Sequence, residues 1–256
     1  MRILQWNDKN GNHYYVAKSD EQRIITVSFR GTSSLNDMLA DLDSRKVDPD
    51  ASLGAPVSSS RVYSGLQSVI IPQFVNADKD LRAAMEANPG YGIMLTGHSL
   101  GGVAAHLFAL YVRANIANAT LTGVITYGEP ISMSEDMAEW SLGRIGRDRY
   151  VRIVSSDDIA PWVRTSDGEF GHAPNGHVVY LPNPRQRNMQ HCERADDPRC
   201  GAGQPCTKLG WTNHSWYGGM FVGKRQCLYG RERKNPLLDT PAPESSTVVA
   251  SPRLIL

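Results

Sequence analysis

The sequence predicts a single α/β domain whose central sheet is largely parallel and covered by helices on both faces. Apolar, β-branched segments alternate along the chain with segments of helical spacing, which is the pattern of strands joined by crossover helices. The 256 residues, 41% of them hydrophobic, are enough for one sizeable core. We expect this domain to span residues 1–235, and residues 236–256, rich in Pro and Ser, to form a disordered tail.

The predicted elements follow from local patterns, taken in chain order. The expected strands are a hairpin of residues 3–6 and 13–17, buried strands at 24–29, 93–95, 123–127 and 150–155, and a last short strand at 178–181. The expected helices are a short one at 35–42, long amphipathic stretches within 65–87, and helices at 103–112 and 134–142. The apolar side of 65–87 should consist of Leu66, Val69, Ile70, Phe74, Leu81 and Met85. Residues 47–60, rich in Asp, Pro and Ser, should form an irregular surface loop.

Composition excludes several classes of function. The net charge is +1, so no strong electrostatic attraction to nucleic acid or to an anionic membrane is expected. No apolar stretch approaches the ~20 residues that a membrane span requires. We therefore expect no nucleic-acid partner and no transmembrane segment, and we expect a monomer.

The four cysteines, Cys192, Cys200, Cys206 and Cys227, all lie in the last quarter of the chain. Their clustering in a polar stretch predicts a loop closed by disulfides in an oxidising compartment, with three pairings open. A zinc site is the alternative, but no C-x-x-C pair supports it. Residues 1–8 lack the apolar segment of a signal peptide and, taken alone, would indicate the cytosol.

A nucleophile motif stands at residues 97–101, which read Gly-His-Ser-Leu-Gly. An apolar run precedes it and a segment of helical spacing follows, which is the strand–turn–helix context of a G-x-S-x-G serine. The turn would present Ser99 Oγ outward, and the N–H of Leu100 would face a developing oxyanion. The alternative is a plain Gly-Ser turn between a strand and a helix.

A serine nucleophile needs a histidine base and a carboxylate that orients it, in the chain order Ser, acid, His. The acid should follow a strand after Ser99, and both Asp157 and Asp158 qualify, directly after the strand at 150–155. For the base, His214 among aromatic and small residues is favoured, with His177 second. His13 and His98 precede Ser99, and His98 is expected to be part of the turn, while His106 lies on the helix that follows. His172 and His191 are expected to be ordinary surface or hydrogen-bonded side chains.

Five motifs, in this order, resemble those of one known family. They are residues 29–34 (Phe-Arg-Gly-Thr-Ser-Ser), 96–102 (Thr-Gly-His-Ser-Leu-Gly-Gly), 126–130 (Thr-Tyr-Gly-Glu-Pro), 158–161 (Asp-Ile-Ala-Pro) and 213–217 (Asn-His-Ser-Trp-Tyr). The sequence is similar to the class 3, fungal-type triacylglycerol lipases and to the related mono- and diacylglycerol lipases and feruloyl esterases. The resemblance covers roughly residues 24–219 and implies an α/β-hydrolase fold.

The resemblance also implies roles for individual residues. It selects Asp158 as the acid and His214 as the base, which gives a triad with Ser99, and it makes Thr32 the second oxyanion donor beside Leu100. In the family a short lid helix follows the first motif. Here an apolar stripe occupies that place, at Leu35, Met38, Leu39 and Leu42, and a packed surface helix is its alternative.

The expected function is therefore a carboxylic-ester hydrolase that acts on acylglycerols at a lipid–water interface and needs no metal or organic cofactor. A feruloyl-type or other small-ester esterase is the nearest alternative, and an inactive lipid-binding relative is the second. Family resemblance and cysteine content imply secretion. Because the segment before residue 29 is short compared with secreted relatives, we expect an N-terminally incomplete gene product. Two glycosylation sequons begin at Asn118 and Asn213, and we expect the second to be unoccupied, because a glycan there would obstruct His214.

Overall fold

An eight-stranded sheet forms the centre of the protein, in the order β1-β2-β3-β6-β7-β8-β9-β10. The structure, a computed structural model, describes residues 1–8, 13–31, 43–162, 169–202 and 209–222. Its strands are β1 (Arg2–Asn7), β2 (Tyr14–Ser19), β3 (Ile24–Phe29), β4 (Lys46–Val47), β5 (Val62–Tyr63), β6 (Gly92–His98), β7 (Leu121–Tyr127), β8 (Tyr150–Ser155), β9 (His177–Leu181), β10 (Gln190–Cys192), β11 (Trp216–Tyr217) and β12 (Met220–Phe221).

The five central strands, β3 and β6 to β9, are parallel, and antiparallel partners close both edges of the sheet. Parallel strands need crossover connections, and those from β3 to β6, from β6 to β7 and from β7 to β8 carry α-helices. The α/β architecture predicted from the alternation of patterns is therefore confirmed. Because the carboxyl ends of parallel strands share one edge, the residues that follow β3, β6, β7 and β8 come together there.

The helices are α1 (Ser64–Ile70), α2 (Phe74–Ala87), α3 (Leu100–Asn115) and α4 (Glu135–Ile145). A 3₁₀ turn over Ile71–Gln73 separates α1 from α2, and Pro72, which has no N–H to donate, lies in it. The predicted apolar side was wrong at Val69, which is 47% exposed. The reason is that the two turns of α1 bury only one narrow row, Leu66 and Ile70, and Val69 lies at its margin.

Helix α3 is the most deeply buried helix described, with eleven of its residues in the interior. Its Phe108 ring lies 5.3 Å from that of Phe29 on β3 and 5.0 Å from that of Phe74 on α2 (centroid distances). Aromatic contacts of this kind fix the helix against the sheet, and so fix the point at which the helix begins. Within the described residues, no helix has both the length and the apolar character needed to cross a membrane.

The sheet continues beyond the strand that the sequence predicted to be the last. Strand β10 pairs with β9, and a disulfide joins Cys192 in β10 to Cys200 eight residues later. The prediction failed because β10 has only three residues and no apolar alternation of its own. Cys206 and Cys227 lie outside the described residues, as do the predicted helix at 35–42 and the tail at 236–256. Met1–Val222 forms one structural unit.

Candidate active site

Ser99 lies between the end of β6 and the start of α3, with φ 58° and ψ −126°. A positive φ is unusual for a residue with a side chain and marks a strained turn. Strand and helix approach so closely here that a Cβ on Gly97 would lie 2.0 Å from the Gly101 carbonyl oxygen. The Ser99 N–H donates to Tyr127 O at the end of β7 (2.8 Å), which ties the turn to the neighbouring strand. The strand–turn–helix context predicted around this serine is present.

The Ser99 side chain is buried, and its Oγ has no hydrogen-bond partner among the residues that the structure describes. Leu100 is the first residue of α3, so its N–H has no intrahelical acceptor and lies at the positive end of the helix dipole. A Cβ added to Gly31 would lie 3.3 Å from Ser99 Cβ, so the chain leaving β3 passes directly beside the serine. Thr32, the next residue, lies outside the described part of the chain.

His214 and Asp158 form a buried pair. Asp158 Oδ2 accepts from His214 Nδ1 at 2.8 Å, and the two side chains are 0% and 7% exposed. The other carboxylate oxygen, Oδ1, accepts from Ala160 N–H (2.9 Å), while Tyr217 Oη lies 3.4 Å from Oδ2. With Nδ1 donating to the carboxylate, Nε2 is the free acceptor of the ring, and it has no partner among the described residues. We refer to Ser99, His214 and Asp158 together as the Ser99 site.

Asp157, the other candidate acid, joins the loop after β8 to the loop that carries His214. Its Oδ1 accepts from Asn213 Nδ2, and its carbonyl oxygen accepts from Gly210 N–H (2.8 Å). Gly210 O in turn accepts from Ile159 N–H (3.0 Å), so the loop after β8 and the loop that carries His214 are joined along their backbones. The structure thus places Asp158, and not Asp157, on the imidazole of His214.

His98, which precedes Ser99, links the serine turn to the histidine loop. Its Nε2 donates to the carbonyl oxygen of His214 (2.6 Å), and the two ring centroids are 4.4 Å apart. Removal of the ring from water, together with the neighbouring His214, lowers the pKa of His98 to about 3. The ring is therefore neutral near pH 7. Sequence reasoning had assigned it only to the turn.

Gly128 was also missed, although the sequence placed it in a recognised motif. It has φ +56°, and a Cβ there would lie 2.4 Å from Tyr217 Oη, 2.8 Å from His214 Cε1 and 2.9 Å from Asp158 Oδ2. The backbone of Gly128 is therefore the surface against which these three side chains pack. Burial and the adjacent Asp158 raise the pKa of Tyr217 well above its ordinary value, so its hydroxyl stays protonated.

The other histidines have different surroundings. His177 stacks on His191, with ring centroids 5.2 Å apart, and lies 3.8 Å from Asp148. His172 Nε2 bonds Pro161 O (2.9 Å), and His13 pairs with a surface aspartate. His106 is buried on α3, in contact with Glu129. Within the described ranges, no group of three or more His, Cys, Asp or Glu side chains has a metal-binding arrangement.

Comparison with known proteins places the chain in a family. Residues 26–167 match the family model described as Lipase (class 3). The chain is 28% identical over 183 residues to a lipase of Rhizomucor miehei, covering 69% of this chain and 47% of that protein. It is 28% identical over 212 residues to "secreted mono- and diacylglycerol lipase 2" of Gibberella zeae, covering 70% and 49%. It thus spans about half the length of these relatives.

A solved structure, the triacylglyceride lipase of Rhizomucor miehei, superposes with a TM-score of 0.71 at 23% identity and covers 87% of this chain and 82% of that one. This likeness shows that the protein has the α/β-hydrolase fold of that lipase. The family match covers more than half of the sequence and includes the serine turn and Asp158. The chain belongs to the class 3 lipase family.

Proposed function

We propose that the protein is a serine carboxylic-ester hydrolase that acts on acylglycerols, with Ser99 as nucleophile, His214 as base and Asp158 as the acid that orients it. One observation carries the proposal: the Asp158–His214 bond leaves Nε2 as a free acceptor, and His98, adjacent to the nucleophile, is bonded to His214. Within the described part of the chain, the Ser99 hydroxyl on its strained turn and His214 Nε2 both lack a hydrogen-bond partner, which supports their roles as donor and acceptor in a proton transfer.

The proposed reaction proceeds in two steps. His214 Nε2 takes the proton of Ser99 as Oγ bonds to the ester carbonyl carbon, and the carbonyl electrons form an oxyanion. The imidazolium then gives this proton to the alcohol oxygen, the C–O bond breaks, and the alcohol leaves an acyl-enzyme. Water repeats the sequence with His214 as base: the fatty acid is released and the proton returns to Ser99.

The oxyanion would be held by two backbone N–H groups, those of Leu100 and Thr32. Leu100 supplies a donor at a helix N-terminus, where partial positive charge favours an anion. Thr32 follows Gly31, which lies next to Ser99. Loss of one such donor costs on the order of 10²–10³ in kcat in hydrolases of this kind.

The substrate class and location rest on the relatives. Proteins named lipase or secreted mono- and diacylglycerol lipase match the chain, and Cys192 and Cys200 form a disulfide of the kind that persists outside the cytosol. We therefore propose acylglycerols as substrates and an extracellular location. The stripe Leu35, Met38, Leu39 and Leu42 remains a proposed lid, on its sequence pattern alone.

The test is hydrolysis of mono-, di- and triacylglycerol emulsions, with methyl ferulate alongside, by the wild type and by Ser99→Ala. We expect fatty-acid release by the wild type only, and stoichiometric labelling of Ser99 by an organophosphonate. Turnover of methyl ferulate without acylglycerol turnover would refute acylglycerols as the substrate class and would leave the proposed serine-hydrolase mechanism in place. Equal activity of wild type and Ser99→Ala would refute the nucleophile.

A further inference from the structure

A second group of polar side chains lies buried in the core and has no part in the proposed reaction. Its Glu129 carboxylate bonds His106 Nδ1 on α3 through Oε1 (2.9 Å) and accepts from Tyr150 Oη on β8 through Oε2 (2.6 Å). His106 Nε2 lies 2.8 Å from Ser141 Oγ on α4, and the Ser141 hydroxyl donates to Ala138 O (2.6 Å). We call Glu129, His106, Tyr150 and Ser141 the Glu129 cluster.

The cluster is charged as well as buried. Glu129 and His106 have side chains that are 1% and 5% exposed. Burial acts to raise the pKa of Glu129, but the charge and hydrogen bond of His106, with the hydrogen bond from Tyr150, outweigh it and hold the pKa below its ordinary value. Glu129 is therefore ionised at neutral pH. An ionised carboxylate only accepts hydrogen bonds, so His106 Nδ1 carries a proton and donates to it.

The cluster connects to the Ser99 site through three consecutive residues. Tyr127 O accepts from the Ser99 N–H, Gly128 packs against the side chains of His214 and Asp158, and Glu129 anchors the segment to α3 and β8. The helix anchored by Glu129 is the helix that begins at the serine turn. Any displacement of Glu129 would therefore move the backbone that supports both the nucleophile and the base.

We propose that Glu129 is a positioning residue for this proposed hydrolase: its carboxylate, held by His106 and Tyr150, fixes the backbone of residues 127–129 against His214 and Asp158. A buried ion pair is a poor source of stability relative to apolar packing, but it specifies one geometry, because removing one partner leaves a charge uncompensated. The inference rests on the proposed function for its activity readout and on the hydrogen bonds above for its geometry.

The test compares Glu129→Gln, which keeps the shape and removes the charge, with Ser141→Ala, which removes the far end of the cluster. We would measure kcat and KM on a water-soluble p-nitrophenyl ester, the folded fraction, and the low-field proton NMR signal of His214 Nδ1–H. We expect Glu129→Gln to lower kcat at nearly constant KM, towards the order of 10²-fold that a displacement of about 1 Å can cost, and to shift the His214 signal. Ser141→Ala should reduce stability and leave kcat and the signal as in the wild type.

A folded Glu129→Gln protein with wild-type kcat and an unchanged His214 signal would overturn the inference. An equal loss of kcat in Ser141→Ala would also overturn it, since any disturbance of this part of the core would then lower kcat and Glu129 would have no specific role. If Glu129→Gln does not fold, Tyr150→Phe keeps the carboxylate and removes one of its donors. It should then give a smaller loss of kcat with a signal shift, and a wild-type result would refute the proposal. If the wild type hydrolyses no ester, the proposed function fails, while the NMR comparison still tests the positioning.

Discussion

The described ranges of the chain hold two groups of serine, histidine and carboxylate side chains, and the two differ in which polar atoms are left without a hydrogen bond. In the Ser99 site the serine Oγ and the imidazole Nε2 have no partner among the described residues, and the serine is on a strained turn at the start of a helix. In the Glu129 cluster the serine lies inside a helix with its proton directed to a backbone carbonyl, and the imidazole contacts a partner at both nitrogens.

The comparison shows that three residue types within hydrogen-bond distance do not make a catalytic site. Ser141 lies 2.8 Å from an imidazole that is paired with a carboxylate, yet its own proton is donated to the carbonyl oxygen of Ala138. A nucleophile needs an unoccupied base, a route for substrate and donors for the oxyanion. The unoccupied hydrogen-bonding groups, and not the residue types, separate the arrangement proposed to be reactive from the structural one.

Replacing each serine by alanine should give the largest contrast. We expect Ser99→Ala to lower kcat by on the order of 10⁶-fold, because no other group can form the acyl-enzyme, and Ser141→Ala to leave kcat within about twofold. Ester hydrolysis and organophosphonate labelling measure both. Labelling of Ser141 in the Ser99→Ala protein would mean that both arrangements are reactive.

The two adjacent aspartates give the next contrast. Asp158→Asn should lower kcat by on the order of 10⁴-fold, because the amide favours the wrong tautomer of His214. Asp157→Asn should remain within about tenfold, since only one partly exposed bond to Asn213 is altered. Steady-state kinetics at pH 8 would measure both, and equal losses would contradict the assignment of the acid.

Two glycines make a matched pair for the packing at the Ser99 site. Gly128→Ala places a methyl group within 2.9 Å of three side chains at a positive φ, so we expect kcat to fall by on the order of 10²-fold. Gly143→Ala, inside α4 with nothing within 4 Å of its Cβ position, should raise the free energy of unfolding by about 0.4–1 kcal/mol at unchanged kcat. A fully active Gly128→Ala protein would show that the contact is not needed.

Acid should lower the free energy of unfolding in two different pH ranges, one set by His98 beside the Ser99 site and the other by Glu129 in its cluster. The pKa of His98 falls from 6.5 to about 3 on folding, so the unfolded chain binds more protons below pH 6.5 and the free energy of unfolding should drop by up to ~1.4 kcal/mol per pH unit. Glu129, whose folded pKa lies below 4.5, contributes stability that is complete above pH 4.5 and lost below it.

Urea unfolding at pH 7, 6 and 5 tests the first range, and measurements below pH 4.5 test the second. His98→Gln should flatten the dependence between pH 6.5 and 5, and Glu129→Gln should flatten it only below pH 4.5. A His98→Gln protein with the wild-type slope would contradict the neutral state of His98 in the fold.

The sequence predicted the parallel sheet well, because each central strand is an apolar segment bounded by polar turns. Strand β8 was predicted with its observed bounds, and α4 to within three residues at its end. The prediction failed where tertiary contacts decide: β10 depends on its pairing with β9, and the exposure of Val69 depends on how little of α1 faces the core. A local sequence pattern shows neither which strand a short segment pairs with nor how much of a helix faces the core.

For the candidate site, the sequence could name residue types but not their contacts. Chain order left Asp157 and Asp158 open, the resemblance to the class 3 lipases selected Asp158 and His214, and the structure places these two in contact. The roles of His98 and Gly128 could not be predicted, because each depends on residues about 30 to 120 positions later in the chain, on loops that fold back over the sheet. His106 illustrates the limit, since only the fold shows that its partner is Glu129.

The disulfide between Cys192 and Cys200 has a consequence for preparing the protein. Strand β10 is three residues long and forms one edge of the sheet, where its pairing with β9, the disulfide and the apolar packing of Cys192 hold it. In a reducing host the disulfide would open, and the backbone groups of β9 would be free to pair with a second molecule. We therefore expect soluble protein from expression in an oxidising compartment and more aggregated protein from a reducing one.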